Sequence, residues 1–295
     1  MSHDDIGATL TDIPEDTEAN VRDWRPIHPD KAPILDFVGV SKTFNIPGSM
    51  PWSPSREVFA VRDVSFRIAP GEVVALVGQS GSGKTTVSRM VLGLEAVTKG
   101  AITIEGRPWH SLSEAQRRTL RVRYQYVPQD ALSALDPQQT ALEHVLESVV
   151  TLAGRTPQDA MPVAVQMLER LGLGHRLHAL PREMSGGEQR RVTLARVFAL
   201  EPALVVADEP TSGLDPDRQE SVLEDLIQNL PPMAGCILVT HEMAQARKWC
   251  HRALVMLEGQ VVEELRFPGG QPTHPYARLM FDPWGQLDLG QSTSF

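Results

Sequence analysis

Gly78-Gln79-Ser80-Gly81-Ser82-Gly83-Lys84-Thr85-Thr86 decides how the rest of the chain is read. It follows the apolar run Val73-Val74-Ala75-Leu76-Val77 and precedes a helical pattern through Val87, Met90, Val91 and Leu94. Strand, glycine-rich turn and helix with the spacing G-x-x-x-x-G-K-[ST] make a phosphate-binding loop. Glycines let the backbone curl so that successive N–H groups face phosphate oxygens, and the helix adds its positive N-terminal end. In this pattern Gly78, Ser80, Gly81, Ser82, Gly83 and Thr86 shape the cradle. Lys84 reaches the β- and γ-phosphates and the Thr85 hydroxyl holds Mg²⁺. A dinucleotide fingerprint is excluded, because Thr86 stands where the last glycine of G-x-G-x-x-G would be. The chain is expected to bind a nucleoside triphosphate.

The bulk composition sets the limits of that reading. A chain of 295 residues, 41% hydrophobic and 22% charged, suits one large α/β domain with a lobe inserted in it. The net charge of −9 gives no electrostatic case for nucleic acid as a partner. Residues 1–31 alone hold eight acids against Arg22, Arg25 and Lys31. Cys236 and Cys250 form neither a disulfide framework nor a metal-ligand spacing, and suit a reducing cytosol. No apolar run approaches the roughly 18 residues that span a bilayer, and the acidic N-terminus is not a signal peptide. A membrane role is expected to come through a partner.

Outward from the loop, residues 1–33 are polar and proline-bearing and read as a mobile acidic tail, with Trp24 as a docking anchor. Strands are expected over Ile34–Val40 and Val58–Ile68, separated by the proline-rich loop 46–55. Further strands fall at Ala101–Ile104, Tyr124–Val127, Leu204–Ala207, Cys236–Thr240, Ala253–Leu257 and Gln260–Glu263. Helices alternate with them, and a helical block from Thr140 to Leu171, broken by Gly154 and Pro157, interrupts the alternation. The organisation expected is a tail (1–33), a domain (34–268) with a helical lobe at about 130–195, and a C-terminal extension (269–295).

The second half supplies what a phosphate loop needs. Leu204-Val205-Val206-Ala207 is an apolar strand ending in Asp208 and Glu209. It places the carboxylates at the C-terminal edge of the sheet, where nucleotide sites of α/β folds lie. Asp208 can support Mg²⁺ through water, and Glu209 can polarise an attacking water. Met184-Ser185-Gly186-Gly187-Glu188-Gln189-Arg190-Arg191 opens a helix, with Ser185 as N-cap and Glu188 completing a capping box. Two glycines just inside a helix are costly, and make sense if that helix end must approach an anion closely.

Phosphate loop, Gln129 after a strand, Ser185-Gly186-Gly187-Glu188-Gln189, Asp208-Glu209, Ser212-Gly213-Leu214-Asp215 and His241 after Val239-Thr240 occur in that order. Together they resemble the ATPase subunit of an ABC (ATP-binding cassette) system, from about Ile34 to Phe267. The resemblance implies an α/β P-loop NTPase, a RecA-like core with an antiparallel β subdomain and an inserted α-helical lobe. It implies ATP and Mg²⁺ as ligands, with Gln129 reaching the metal and sensing the membrane partner. Ser185, Gly186 and Gly187 become the signature motif that meets the γ-phosphate held by a second subunit. Asp215 lies in the loop at that subunit contact, and His241 becomes the histidine that touches the γ-phosphate. Phe44 matches the aromatic that stacks on adenine, with Phe59 as a competing ring. Met184 and Glu188 depart from the usual Leu-Ser-Gly-Gly-Gln, and Glu188 puts a charge near a phosphate.

Gln129-Asp130-Ala131-Leu132-Ser133-Ala134-Leu135-Asp136-Pro137 and His274-Pro275-Tyr276-Ala277 are similar to stretches of the peptide/nickel importer ATPases. That resemblance implies a second ATPase subunit, two transmembrane permease subunits and an extracytoplasmic substrate-binding protein. It places the chain peripherally on the cytoplasmic face of the inner membrane. The alternative is an ABC ATPase serving a soluble machine such as a phosphonate-degrading complex, whose relatives share the tail motif.

Overall fold

The computed structural model describes residues 25–46, 55–129 and 133–281. Trp24, most of the proline-rich loop, Asp130-Ala131-Leu132 and the chain past Phe281 lie outside the described residues. Strands β1 (Leu35–Ile46) and β2 (Arg56–Ile68) form a long hairpin, and β3 (Val73–Val77) runs into the phosphate loop and α1 (Lys84–Val91). Then come β4 (Lys99–Ile104), β5 (Arg107–Pro108), α2 (Glu114–Leu120) and β6 (Tyr124–Val127). Helices α3 (Ala141–Ala153), α4 (Pro157–Arg170) and α5 (Gly186–Phe198) follow. The chain then alternates through β7 (Leu204–Asp208), α6 (Pro216–Asn229), β8 (Gly235–Thr240), α7 (Met243–Trp249) and β9 (Arg252–Leu257). It closes with β10 (Gln260–Arg266) and α8 (Pro275–Phe281).

The strands make two sheets: a four-stranded sheet in the order β2-β1-β4-β5, and a six-stranded one in the order β10-β9-β3-β8-β7-β6. The pairs of the first sheet are antiparallel. In the second, β6, β7, β8, β3 and β9 run parallel and β10 turns back along the edge. Strand β3 is buried along its whole length because both faces are covered, which is why it reads as an unbroken apolar run. Alternate residues serve different cores. Val73, Ala75 and Val77 face the helical side with Val145, Val149, Leu168 and Leu223. Val74 and Leu76 face the antiparallel sheet and α1, with Leu35, Phe37, Val87 and Ile104.

Helix boundaries follow their capping residues. Thr140 and Glu143 cap α3 reciprocally, and Gly154 ends it in the left-handed conformation. Thr156 then caps α4, with Pro157 in the first position.

Two departures from the sequence reading stand out. Strand β1 does not end at Val40 but runs on to Ile46, because Lys42–Ile46 pair with the opposing stretch of β2. Register shifts between Phe37 and Thr43 break the alternation that would have signalled it. The expected tail also stops short of residue 33. The buried Arg25 guanidinium donates to the carbonyls of Gly71, Leu230, Pro231 and Ala234, stitching this segment across the base of the six-stranded sheet. Burial pulls its pKa below the usual guanidinium value.

Parallel strands send their C-terminal ends to one edge. The segments that leave β3, β6, β7 and β8 there carry the phosphate loop, Gln129, Glu209 and His241.

Candidate functional site

The loop after β3 is built around Gly83, the N-cap of α1, which has φ 105°. A Cβ there would run into the Ala60 carbonyl of β2, so only glycine lets the loop pass this close to the hairpin. Gly78 is likewise pressed against the Met256 carbonyl and Ser82. Helix α1 has no side-chain cap and no acid in its first turn. Its positive end and N–H groups therefore face the loop unanswered. Among the described residues the buried Ser82 hydroxyl has no hydrogen-bond partner, a further donor in the same cradle. Lys84, itself buried, curls back so that Nζ donates to Gly78 O (2.6 Å) and Gln79 O (3.0 Å). Burial pulls its pKa down, and the carboxylates of Glu209 and Asp208 oppose that shift. Orphan donors, an uncapped helix and a lysine over glycine-rich backbone fit a polyphosphate.

The carboxylates come from the adjacent strand. Asp208 ends β7, and burial is the main reason its pKa is pushed up, with Glu209 adding to the shift. The Tyr126 hydroxyl on β6 donates to Asp208 Oδ2 (3.3 Å) and, with Lys84, works the other way. The same burial raises the Tyr126 phenol to about 12, so it stays a donor. Glu209 adopts φ 45°, a left-handed conformation that costs a residue with a Cβ about 1–3 kcal/mol. Two backbone bonds hold the turn: Glu209 N–H to Val239 O (2.9 Å) and Ser212 N–H to Glu209 O (3.0 Å). The turn brings Glu209 Oε1 to 3.7 Å from His241 Nδ1. Gln129 Nε2 donates to Ser212 Oγ (3.0 Å), drawing the segment after β6 to the segment after β7.

Sequence reasoning missed the residues that hold these groups. Buried Gln245 accepts from Thr211 Oγ1 and Thr240 Oγ1 (3.2 Å each) and donates to Glu242 (2.9 Å). One amide thereby locks the loop after Glu209 to the loop that carries His241. Tyr126 is missed likewise: its contact spans 82 positions, and nothing local marks it.

Among the described residues no three His, Cys, Asp or Glu side chains cluster as a metal cage. Mg²⁺ suits the donors that are present, since this ion keeps waters and phosphate oxygens with one or two protein ligands. The exposed Thr85 at the start of α1 and Asp208 at the end of β7 are of the required type.

The stretch around Ser185 opens helix α5. Ser185 Oγ accepts from Glu188 N–H (3.2 Å) while the Glu188 carboxylate accepts from Ser185 N–H (2.7 Å). That leaves the hydroxyl proton of Ser185 free to be donated outward. Glu188 is not aimed at open space: it is largely buried and also accepts from Arg176 Nε (2.9 Å). The Ser185 N–H first, and Arg176 after it, hold its carboxyl below the ordinary range. A Cβ on Gly186 or Gly187 would meet nothing within 4 Å, so no contact among the described residues requires either glycine. A cavity of about 450 Å³ beside them is lined by Arg190, Arg191, Leu214 and Arg218. Asp215 caps α6 by accepting from Arg218 N–H. Phe44 and Phe59 are both exposed on the hairpin, each beneath a cation, Lys42 and Arg62 respectively, at 4.8 Å. The Ala60 carbonyl, next to Phe59, borders Gly83, and Phe44 lies opposite Val58 in the register of the hairpin.

The chain resembles known ATP-binding cassettes in sequence and in fold. The family described as ABC transporter matches residues 61–212. The nickel import ATP-binding protein NikE of Escherichia coli (strain K12) is 37% identical over 206 residues, 69% of this chain and 76% of that protein. The glutathione import ATP-binding protein GsiA of the same strain is 34% identical over 256 residues, 85% of this chain. The chain spans only 41% of the length of that relative. A dimeric ATP-binding cassette solved in a post-hydrolysis state with ADP and Pi superposes with a TM-score of 0.65 at 27% identity, covering 80% of this chain and 99% of that one. CbiO1 from Clostridium perfringens, part of the cbiONQ complex, shares the fold with a TM-score of 0.69 at 24% identity, over 88% of this chain and 96% of that one.

Proposed function

The chain belongs to the ABC transporter family, and on that premise we propose that it is the ATP-hydrolysing subunit of an importer. What supports this most is the meeting of Lys84, Asp208, Glu209 and His241 at one sheet edge, with Gln129 drawn in through Ser212. The loop N–H groups, with Lys84, take up the charge of the β- and γ-phosphates, and Phe44 stacks on the adenine. Glu209 accepts the proton of the attacking water, and His241, beside it, orients the γ-phosphate. Thr85, Asp208 and Gln129 would hold Mg²⁺, which would offset the negative charge of the triphosphate.

Glycines 186 and 187 face open space, and the Ser185 hydroxyl has a proton to give. Both are explained if a second ATPase subunit, the same or a homologue, pairs head to tail with this one. Each triphosphate is then sealed by the opposite subunit's signature motif, with Asp215 at the contact. ATP closes the pair because its γ-phosphate supplies contacts that ADP lacks, and hydrolysis removes them. The named relatives import glutathione and nickel, which points to a peptide, nickel or metal-chelate solute. Two permease subunits and an extracytoplasmic binding protein complete such a system, with this chain peripheral on the cytoplasmic face. No helix among the described residues is long and apolar enough to cross a membrane.

Glu209→Gln should bind ATP, turn over at about a hundredth of the parent rate or less, and accumulate as a dimer. Parental turnover would overturn the assignment of the base. Co-purification with integral membrane subunits separates an importer from an ATPase of a soluble complex.

A further inference from the structure

His274-Pro275-Tyr276-Ala277 takes no part in the site described above, yet the fold carries it to the phosphate loop. Past β10 the chain is tethered by Glu263, whose Oε1 accepts from the Thr273 N–H and hydroxyl (2.6 Å each) and whose Oε2 accepts from His274 N–H (3.2 Å). The His274 ring then accepts from Tyr276 N–H at Nδ1 (3.2 Å), fixing the start of α8. The helix is held down by fully buried Ala277, and by Phe281 beside Phe267 and under the Arg247 guanidinium of α7. From this platform the Tyr276 hydroxyl accepts a hydrogen bond from Gln79 N–H at 2.7 Å.

Gln79 is the residue whose carbonyl also accepts from Lys84 Nζ. Its N–H is thus held by the tail and its C=O by the phosphate-loop lysine. A glycine-rich loop loses much conformational freedom when it wraps a phosphate, and fixing a peptide beforehand lowers that cost. A phenol is well matched to this position, because it accepts the N–H without placing a negative charge beside a triphosphate, as a carboxylate would. We propose that Tyr276 is a positioning residue of the phosphate loop, and that segment 273–281 is a brace that sets the loop's affinity for ATP.

The inference rests on the reading of this loop as the ATP site, so Lys84→Ala serves as the reference variant. ATP affinity, KM and kcat are measured on the full chain. Tyr276→Phe keeps the ring packing and removes the acceptor. It should raise Kd and KM for ATP about fivefold, the worth of one hydrogen bond, with kcat changed less and the melting point without nucleotide unmoved. Glu263→Ala, which frees the tether, should shift KM in the same direction. If Tyr276→Phe matches the parent in Kd and KM while Lys84→Ala loses ATP, the brace is refuted and the loop reading stands. If Lys84→Ala binds ATP as the parent does, both fall.

Discussion

Two helix starts in this molecule answer the same problem in opposite ways. Helix α1 begins at a left-handed glycine with no side-chain cap and no acid in its first turn. Helix α5 begins at Ser185 in a complete capping box, with Glu188 in its first turn and Arg176 against that carboxylate. The first leaves its positive end and its N–H groups to a ligand, and adds the ammonium of Lys84 to them. The second has answered the Glu188 N–H, and offers a hydroxyl proton and a first turn of two glycines that open onto free space. The difference assigns the work. Affinity for the triphosphate resides at α1, whereas α5 contributes a contact that exists only when another subunit comes close.

The largest effect should therefore come at α1. Lys84→Ala removes a charge-assisted contact to phosphate and should weaken ATP binding by the isolated chain about a hundredfold, read by titration calorimetry. Binding weakened less than in the Tyr276→Phe variant would erase the distinction between the two helix starts. A sharper test lies at α5. Gly187→Ala replaces a poor helix former with a good one where space is open, so the isolated chain should gain about 0.5–1 kcal/mol of stability. Turnover should nevertheless fall about tenfold or more, because the new methyl group occupies space a second subunit's triphosphate needs. A variant both stabler and fully active would show that nothing approaches those glycines.

The smallest effect concerns the charge in the capping box. Glu188 titrates below the ordinary glutamate value because Ser185 N–H, and then Arg176, bind its ionised form. A depressed folded value gives stabilisation that is complete above the ordinary value, about 4.3, and is lost as the pH falls through the folded one. Glu188→Gln keeps an acceptor for the cap but cannot titrate. The parent's advantage in melting point over this variant should be constant near neutrality and shrink below about pH 4.3. A difference independent of pH would mean that the charge plays no part in the cap.

Both helix starts were legible in the sequence because their causes are local: Gly-Lys-Thr after an apolar strand, and Ser-x-x-Glu before a helical stripe. The buried strands were legible too, since Val73–Val77 and Cys236–Thr240 are covered on both faces and so carry unbroken apolar runs. What escaped was set by distant partners. Strand β1 past Val40 is half-buried to exposed with no clean alternation, and owes its pairing to β2. Arg25 meets carbonyls more than 200 positions away at Leu230, Pro231 and Ala234, and so looked like part of a tail. Tyr126 and Gln245 are ordinary residues in ordinary elements until the neighbouring loops are in place. Tyr276 was marked by its motif, but its contact with Gln79, 197 positions away, was not.

The contrast between the two helix starts is tested most directly by solving the structure of the Glu209→Gln chain with ATP and Mg²⁺. The β- and γ-phosphates should be wrapped by the turn between Gly78 and Thr86, with Ser185 of a second subunit closing over the γ-phosphate. Nucleotide lodged elsewhere, or a closed pair in which Ser185 faces no other subunit, would contradict that assignment.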